Sequence, residues 1–142
     1  MEKRVALVSC VKSKRSCISA ASDLYTSALF RGMRRYAEQY ADTWYILSAK
    51  HGVLAPTDRV APYEKTLNKM LKSERGCWAS LVSDQLLHLL PPATKVIVLA
   101  GQRYRADLVP QLEAQGFSVE IPMQGLKLGA QLKWLNEHTR RE

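Results

Sequence analysis

Apolar and polar positions along this chain alternate between two periodicities. Residues 4–10 are short, apolar and rich in Val and Leu, the signature of a buried strand. Residues 43–48 repeat that pattern, residues 96–100 show it most clearly, and residues 117–121 form a further strand ending at Pro122. Between these runs the period lengthens to that of a helix. Asp23 is placed to cap a helix over 24–41, with Tyr25, Leu29, Met33, Tyr36 and Tyr40 at helical spacing and Arg31, Arg34 and Arg35 on another face. Ser73-Glu74 opens a helix to about residue 90, striped by Trp78, Val82, Leu86 and Leu89 and stopped by Pro91-Pro92. A third helix follows Gly101 to about residue 115, where Gly116 supplies the stop. The last spans about 128–138, with Leu128, Leu132 and Leu135 as its apolar face and Trp134 flanking it. Residues 49–63 contain two prolines and a glycine and read as an irregular loop, although 49–72 has room for a further strand.

Strands alternating with helices predict an α/β fold: a single-domain, mainly parallel open sheet of about four to five strands with helices on both faces. No repeat, low-complexity stretch or linker divides the 142 residues, a length that buries a core without disulfides or metal.

In an open α/β sheet, ligands sit at the carboxyl ends of the strands. Here residues 43–48 break from an apolar run into Ser48, Lys50, His51 and Gly52, a hydroxyl, a cation, an imidazole and a glycine. Residues 4–10 break in the same way into Ser9, Cys10, Lys12, Ser13, Lys14 and Ser16. Two strands opening into small polar and basic residues read as one substrate site. Lys12 and Lys14, with the serines, supply the cations and donors that phosphate binding needs, without the glycine pattern of a Walker loop. A desolvated lysine such as Lys14 or Lys50 also serves as a nucleophile. Cys10 occupies a position open to a nucleophile or to a merely small residue. His51, beside a strand end, binds a base edge, acts as general acid or base, or caps a turn, and the sequence leaves these roles open. Tyr63 follows an extended loop and is placed to stack on a base or donate a hydrogen bond. Gly101 and Tyr104 follow the third strand and complete the edge. Gly125 and Gly129 flank the entry to the last helix, in a turn that either presents backbone N–H groups to an anion or is only a tight strand-to-helix connection, the reading favoured here.

The formal charge is +8, and 14 of the 21 Lys and Arg residues fall in positions 1–75, against 7 of the 13 acids. A basic N-terminal half suits a nucleotide, DNA or RNA, and equally a solvated basic surface. No apolar run approaches the roughly 18 residues of a membrane span, and the first is too brief for a secretory signal. A cytoplasmic protein with no membrane partner is expected. Cysteines at 10, 17 and 77 match neither a disulfide framework nor a zinc pattern, so no metal or cofactor is called for, and Cys77 beside Trp78 reads as core.

With these residues in view, the chain resembles an uncharacterised family of small bacterial and phage α/β proteins. The pattern runs Ser-Cys-x-Lys-x-Lys at 9–14, Leu-Tyr-x-Ser-x-x-Phe at 24–30, Ile-Leu-Ser-Ala-Lys-His-Gly-x-Leu at 46–54 and Tyr-x-x-Thr-Leu at 63–67. More distantly it is similar to the lysine-bearing domain of archaeosine synthase, which acts on a deazaguanine base, and to the peroxide-stress YaaA family. That similarity implies a base-binding pocket near Cys10 and Lys12 or Lys14, although Ser9 and Val11 stand where archaeosine synthase has proline and serine. The expectation is an enzyme acting on a nucleobase, nucleotide or nucleic-acid base, by base modification or N-glycosidic cleavage. In it Lys14, Lys50 and His51 are catalytic, and Ser9, Cys10, Lys12, Ser48, Tyr63, Gly101 and Tyr104 bind substrate. The alternative is a non-catalytic nucleic-acid- or nucleotide-binding module using Arg31, Arg34, Arg35 and the lysines of 65–72.

Overall fold

The computed structural model describes residues 3–9, 19–25, 27–61, 63 and 70–139. Its centre is a five-stranded sheet in the order β4-β3-β1-β6-β7, where β1 is Arg4–Ser9, β3 Thr43–Ser48, β4 Gly52–Leu54, β6 Lys95–Leu99 and β7 Ser118–Glu120. Four of these strands run parallel, and β4 alone is antiparallel, folded back on β3. The predicted α/β class, the mainly parallel sheet and the helices on both faces are all present.

Strand side chains alternate between faces, and the core divides accordingly. Ala6, Val8, Trp44, Ile46, Ile97 and Leu99 join Phe30, Met33 and Ala37 of α2 (Ala28–Tyr40) and Leu135 of α5 (Leu128–His138). Val5, Leu7, Leu47, Val96 and Val98 face the other way, onto Trp78, Val82 and Leu86 of α3 (Lys72–Leu89) and Leu108 and Leu112 of α4 (Gln102–Ala114). The central strands are apolar on both faces because both are covered, as parallel sheets require.

Strands β1 and β6 are neighbours, yet α2, entered from β1, and α4, entered from β6, pack on opposite faces. Such a reversal opens a crevice between the carboxyl ends of the two strands. Ser9 and Gly101 flank it, and Ser48 ends the next strand over.

Several expectations change. The helix expected over 24–41 is two pieces, α1 (Ala21–Leu24) and α2. Tyr25 between them has extended backbone (φ −89°, ψ 129°), and Ser27, not Asp23, caps α2 by accepting from Phe30 N–H at 3.1 Å. The loop expected over 49–63 contains β4 and a short β5 (Arg59–Val60), which pairs with β2 (Ser19–Ala20) in an antiparallel ribbon. Cys77 is exposed rather than core, because it stands one position round the helix from the Trp78, Val82 and Leu86 stripe. Leu89 and Leu128, read as stripe residues, are exposed at the helix ends.

At the sheet's β4 edge, Gln85 of α3 closes over the strand. Its Oε1 accepts from Val53 N–H at 3.0 Å, and a Cβ on Gly52 would stand 2.5 Å from that same oxygen. Gly52 also has φ +72°, a conformation that glycine adopts without strain. No helix among the described residues is long and apolar enough to cross a membrane.

Candidate functional site at the carboxyl edge of the sheet

The hairpin between β3 and β4 turns through Ala49, Lys50 and His51, and Ser48 builds that turn from below. Ser48 is fully buried, and its Oγ accepts from His51 N–H at 3.1 Å and Lys50 N–H at 3.3 Å. A serine hydroxyl that bonds the next backbone donors fixes a turn. The Ser48 carbonyl accepts from Trp78 Nε1–H at 2.9 Å, so α3 grips the residue from the other face of the sheet.

Tyr63 closes the site from above. Its hydroxyl shares hydrogen bonds with Ser48 Oγ at 2.7 Å and with Tyr25 Oη at 2.5 Å, and all three residues are buried. The His51 ring meets the Tyr63 ring edge-on, with centroids 5.3 Å apart and planes at 87°. Lys50 Nζ lies 5.9 Å from the centre of that ring. An ammonium at that distance gains modest cation–π stabilisation, about 0.5–1 kcal/mol at an exposed site. Lys50 and His51 are themselves exposed. Among the described residues no carboxylate pairs with Lys50 and nothing bonds the His51 ring nitrogens. The imidazole titrates below histidine's ordinary value, first because partial burial penalises its charged form and then because Lys50 repels a second positive charge. At neutral pH it is an uncharged base beside a cation.

The described candidates thus fall into a cluster and its surroundings. Ser48, Lys50, His51 and Tyr63 are in mutual contact. Tyr104 joins through Trp78, which it meets edge-on at 5.4 Å, and Trp78 in turn holds Ser48. Ser9 is buried at the end of β1, in register with Leu47, and the strand alternation directs it with Val5 and Leu7 toward α3 and α4. Gly101 is exposed at the N-cap of α4 on the same sheet edge. Cys10, Lys12 and Lys14 lie outside the described residues, as do the lysines at 65 and 69. Tyr25 and Trp78 hold the cluster together and were not among the candidate site residues, although Tyr25 stands in the Leu-Tyr-x-Ser-x-x-Phe motif. Both had read as apolar-stripe positions, and no sequence signal marks the hydroxyl or the indole N–H that reaches the site.

Elsewhere, two of the three arginines of α2 are engaged within the molecule. Arg34 Nη1 donates to the Ser22 carbonyl at 2.8 Å and its guanidinium lies 6.0 Å from the Trp44 ring centre, while Arg35 Nη2 donates to Asn136 Oδ1 at 3.4 Å. Arg31 is exposed.

Residues 5–137 match the model of a family described as a family of unknown function (DUF6884). The chain is also similar to the uncharacterized protein YfjM of Bacillus subtilis (strain 168), 38% identical over 118 residues that cover 75% of each chain.

Proposed function

The chain belongs to the DUF6884 family, of unknown function, and from its site we propose an enzyme acting on a nucleobase, nucleotide or nucleic-acid base, by base modification or N-glycosidic cleavage. One observation carries this reading. A neutral imidazole and an ammonium stand together, exposed, at the carboxyl edge of a parallel sheet, both resting on a buried tyrosine. His51 is the general base: uncharged at neutral pH, it takes a proton from an attacking water or a substrate hydroxyl or N–H. Lys50 holds the substrate's phosphate or offsets negative charge developing in the reaction. Lys12 and Lys14, after β1, add further cations for phosphate, and Lys14 is the candidate nucleophile. Ser9, Gly101 and Tyr104 border the crevice in which the base sits, and Cys10 follows Ser9 in sequence as a further candidate for binding it. The similarity of residues 9–14 to the lysine-bearing segment of archaeosine synthase also favours a base as the substrate.

The alternative, a binding module without catalysis, draws on the basic N-terminal half. Its weakness is that Arg34 and Arg35 already have intramolecular partners. A module that binds through phosphates loses affinity steeply as salt rises.

The test is a mass-spectrometric screen of the purified protein against nucleotides, modified bases and nucleic acids, with thermal shifts recorded in parallel. Turnover that disappears in His51→Ala and Lys50→Ala while nucleic-acid affinity persists supports the enzyme. Equal loss of affinity in both variants supports the module. No turnover and no thermal shift with any compound overturns both.

A further inference from the structure

Tyr25 raises a question that packing does not answer. Its spacing from Leu29 and Met33 would continue a helix, yet the chain leaves helical geometry at this residue and starts again at Ser27. The break carries the phenol inward, where it is 2% exposed and packs on Phe30 with ring centroids 5.1 Å apart. A phenylalanine would fill that place without a hydroxyl to desolvate. Replacing two buried hydrogen-bonded groups by apolar ones of the same shape is nearly neutral for stability, so two facing phenols at Tyr25 and Tyr63 are not explained by core packing.

Donor bookkeeping at Ser48 shows where the hydroxyls lead. Its oxygen accepts from two backbone N–H groups, those of Lys50 and His51, which occupies both lone pairs. Its single proton therefore goes to Tyr63 Oη, 2.7 Å away. Tyr63 Oη in turn shares a hydrogen bond with Tyr25 Oη. A continuous line of hydroxyls runs from the core beneath α1 and α2 to the backbone of the turn that carries His51. The same Tyr63 ring supports the His51 imidazole edge-on and lies under Lys50 Nζ. Tyr63 thus sets the turn twice, through its hydroxyl and through its ring, and Tyr25 sets Tyr63.

We infer that Tyr25 is a positioning residue: through Tyr63 and Ser48 its hydroxyl fixes the Ala49-Lys50-His51 turn so that the imidazole and the ammonium stand together at the sheet edge. This rests on the reading of His51 and Lys50 as the working pair, but its test needs no substrate. Tyr25 acts on the turn through Tyr63 and Ser48.

The experiment is Tyr25→Phe, which keeps the ring against Phe30 and removes the hydroxyl, read by NMR on the full chain. Hydrogen exchange is measured at the Lys50 and His51 amides, and the His51 ring is titrated. Losing one hydrogen bond that supports the turn should speed exchange at these two amides by about fivefold or more, while amides of the central strand β1 stay protected. The His51 pKa should rise toward the ordinary value as the ring leaves Tyr63 and Lys50. Combining Tyr25→Phe with Ser48→Ala should add nothing further at His51, because both break one line. Amide exchange and a His51 titration unchanged from wild type, with only the melting temperature lowered, overturn the inference and leave Tyr25 a packing residue. Should Tyr25→Phe not fold, Tyr63→Phe breaks the line at the next hydroxyl and is judged by the same two signals. A substrate screen that finds nothing, beside a clear response at His51, removes the proposed activity and leaves the positioning role standing.

Discussion

His51 and His138 both lie against an aromatic ring, and the difference between them separates a site from a scaffold. His138, in the last turn of α5, stacks on Trp134 at 4.1 Å and its Nδ1–H donates to the Trp134 carbonyl at 2.8 Å. His88 on α3 does the same with the Asp84 carbonyl at 2.8 Å. In both, a ring nitrogen closes a bond to the helix's own backbone four residues back. His51 is arranged the other way round: its backbone N–H is tied to Ser48, and its ring nitrogens have no partner among the described residues. Around His138, the Tyr36, Tyr40 and Trp134 rings pack on one another and Tyr40 Oη donates to the His138 carbonyl at 2.8 Å, so polar groups there are satisfied internally. At the sheet edge the polar groups are used to aim a side chain outward.

The sharpest way to break this contrast is to remove each imidazole. His51→Ala should lower turnover by about a hundredfold or more, the range of a lost general base, with little change in melting temperature. His138→Ala should leave turnover intact. If both variants keep full activity on a substrate found in the screen, His51 has no role in the chemistry. Next in size is Gly52→Ala, which places a side chain at φ +72° and drives Gln85 off Val53. It should cost about 2 kcal/mol in denaturant unfolding, the sum of a left-handed alanine and a lost hydrogen bond. His138→Ala should cost less, about 1 kcal/mol for the stacked pair, measured in the same way.

The smallest effect is on pH. The folded protein holds His51 below the ordinary 6.5, so the unfolded chain takes up that proton first as pH falls. The stability contribution is therefore full above about 6.5 and is lost as pH drops through the lower folded value. Lys50→Met removes one cause of the depression. His51 should then titrate at higher pH, and the loss of stability in acid should shrink, read by NMR titration and by melting temperature against pH.

What the sequence disclosed, and what it withheld, follows from the range of the interactions involved. The strands at 43–48 and 96–100 were legible because a strand covered on both faces must be apolar throughout, and that is a local pattern. Lys50 and His51 were legible as candidates because their polarity interrupts such a run at its carboxyl end. β4 was not, since Gly52–Leu54 is shorter than any periodic signal and exists because Ser48 turns the chain back onto β3. The break at Tyr25 was hidden for the opposite reason. Its helical spacing is real, but its hydroxyl meets that of Tyr63, 38 residues away, and no local pattern announces such a contact. Trp78 was correctly placed on a buried stripe, but its indole N–H reaches a carbonyl 30 residues away. Spacing reveals which face a residue takes and says nothing of the polar atom at its tip.

The grip of Gln85 on β4 has a consequence for the molecule in a crowded cell. In the antiparallel pairing of β3 with β4, Val53 is the residue of β4 whose N–H faces away from the sheet, and Gln85 Oε1 already occupies it. A bare outer strand is a template on which another chain can extend the sheet, the first step toward aggregation. Here a helix side chain takes the hydrogen bond that an incoming strand would need. The flank of the sheet nearest the Ala49-Lys50-His51 turn is thereby protected against adventitious strand addition, and the exposed Lys50 and His51 side chains stand beside an edge that does not invite a second polypeptide to pair with it.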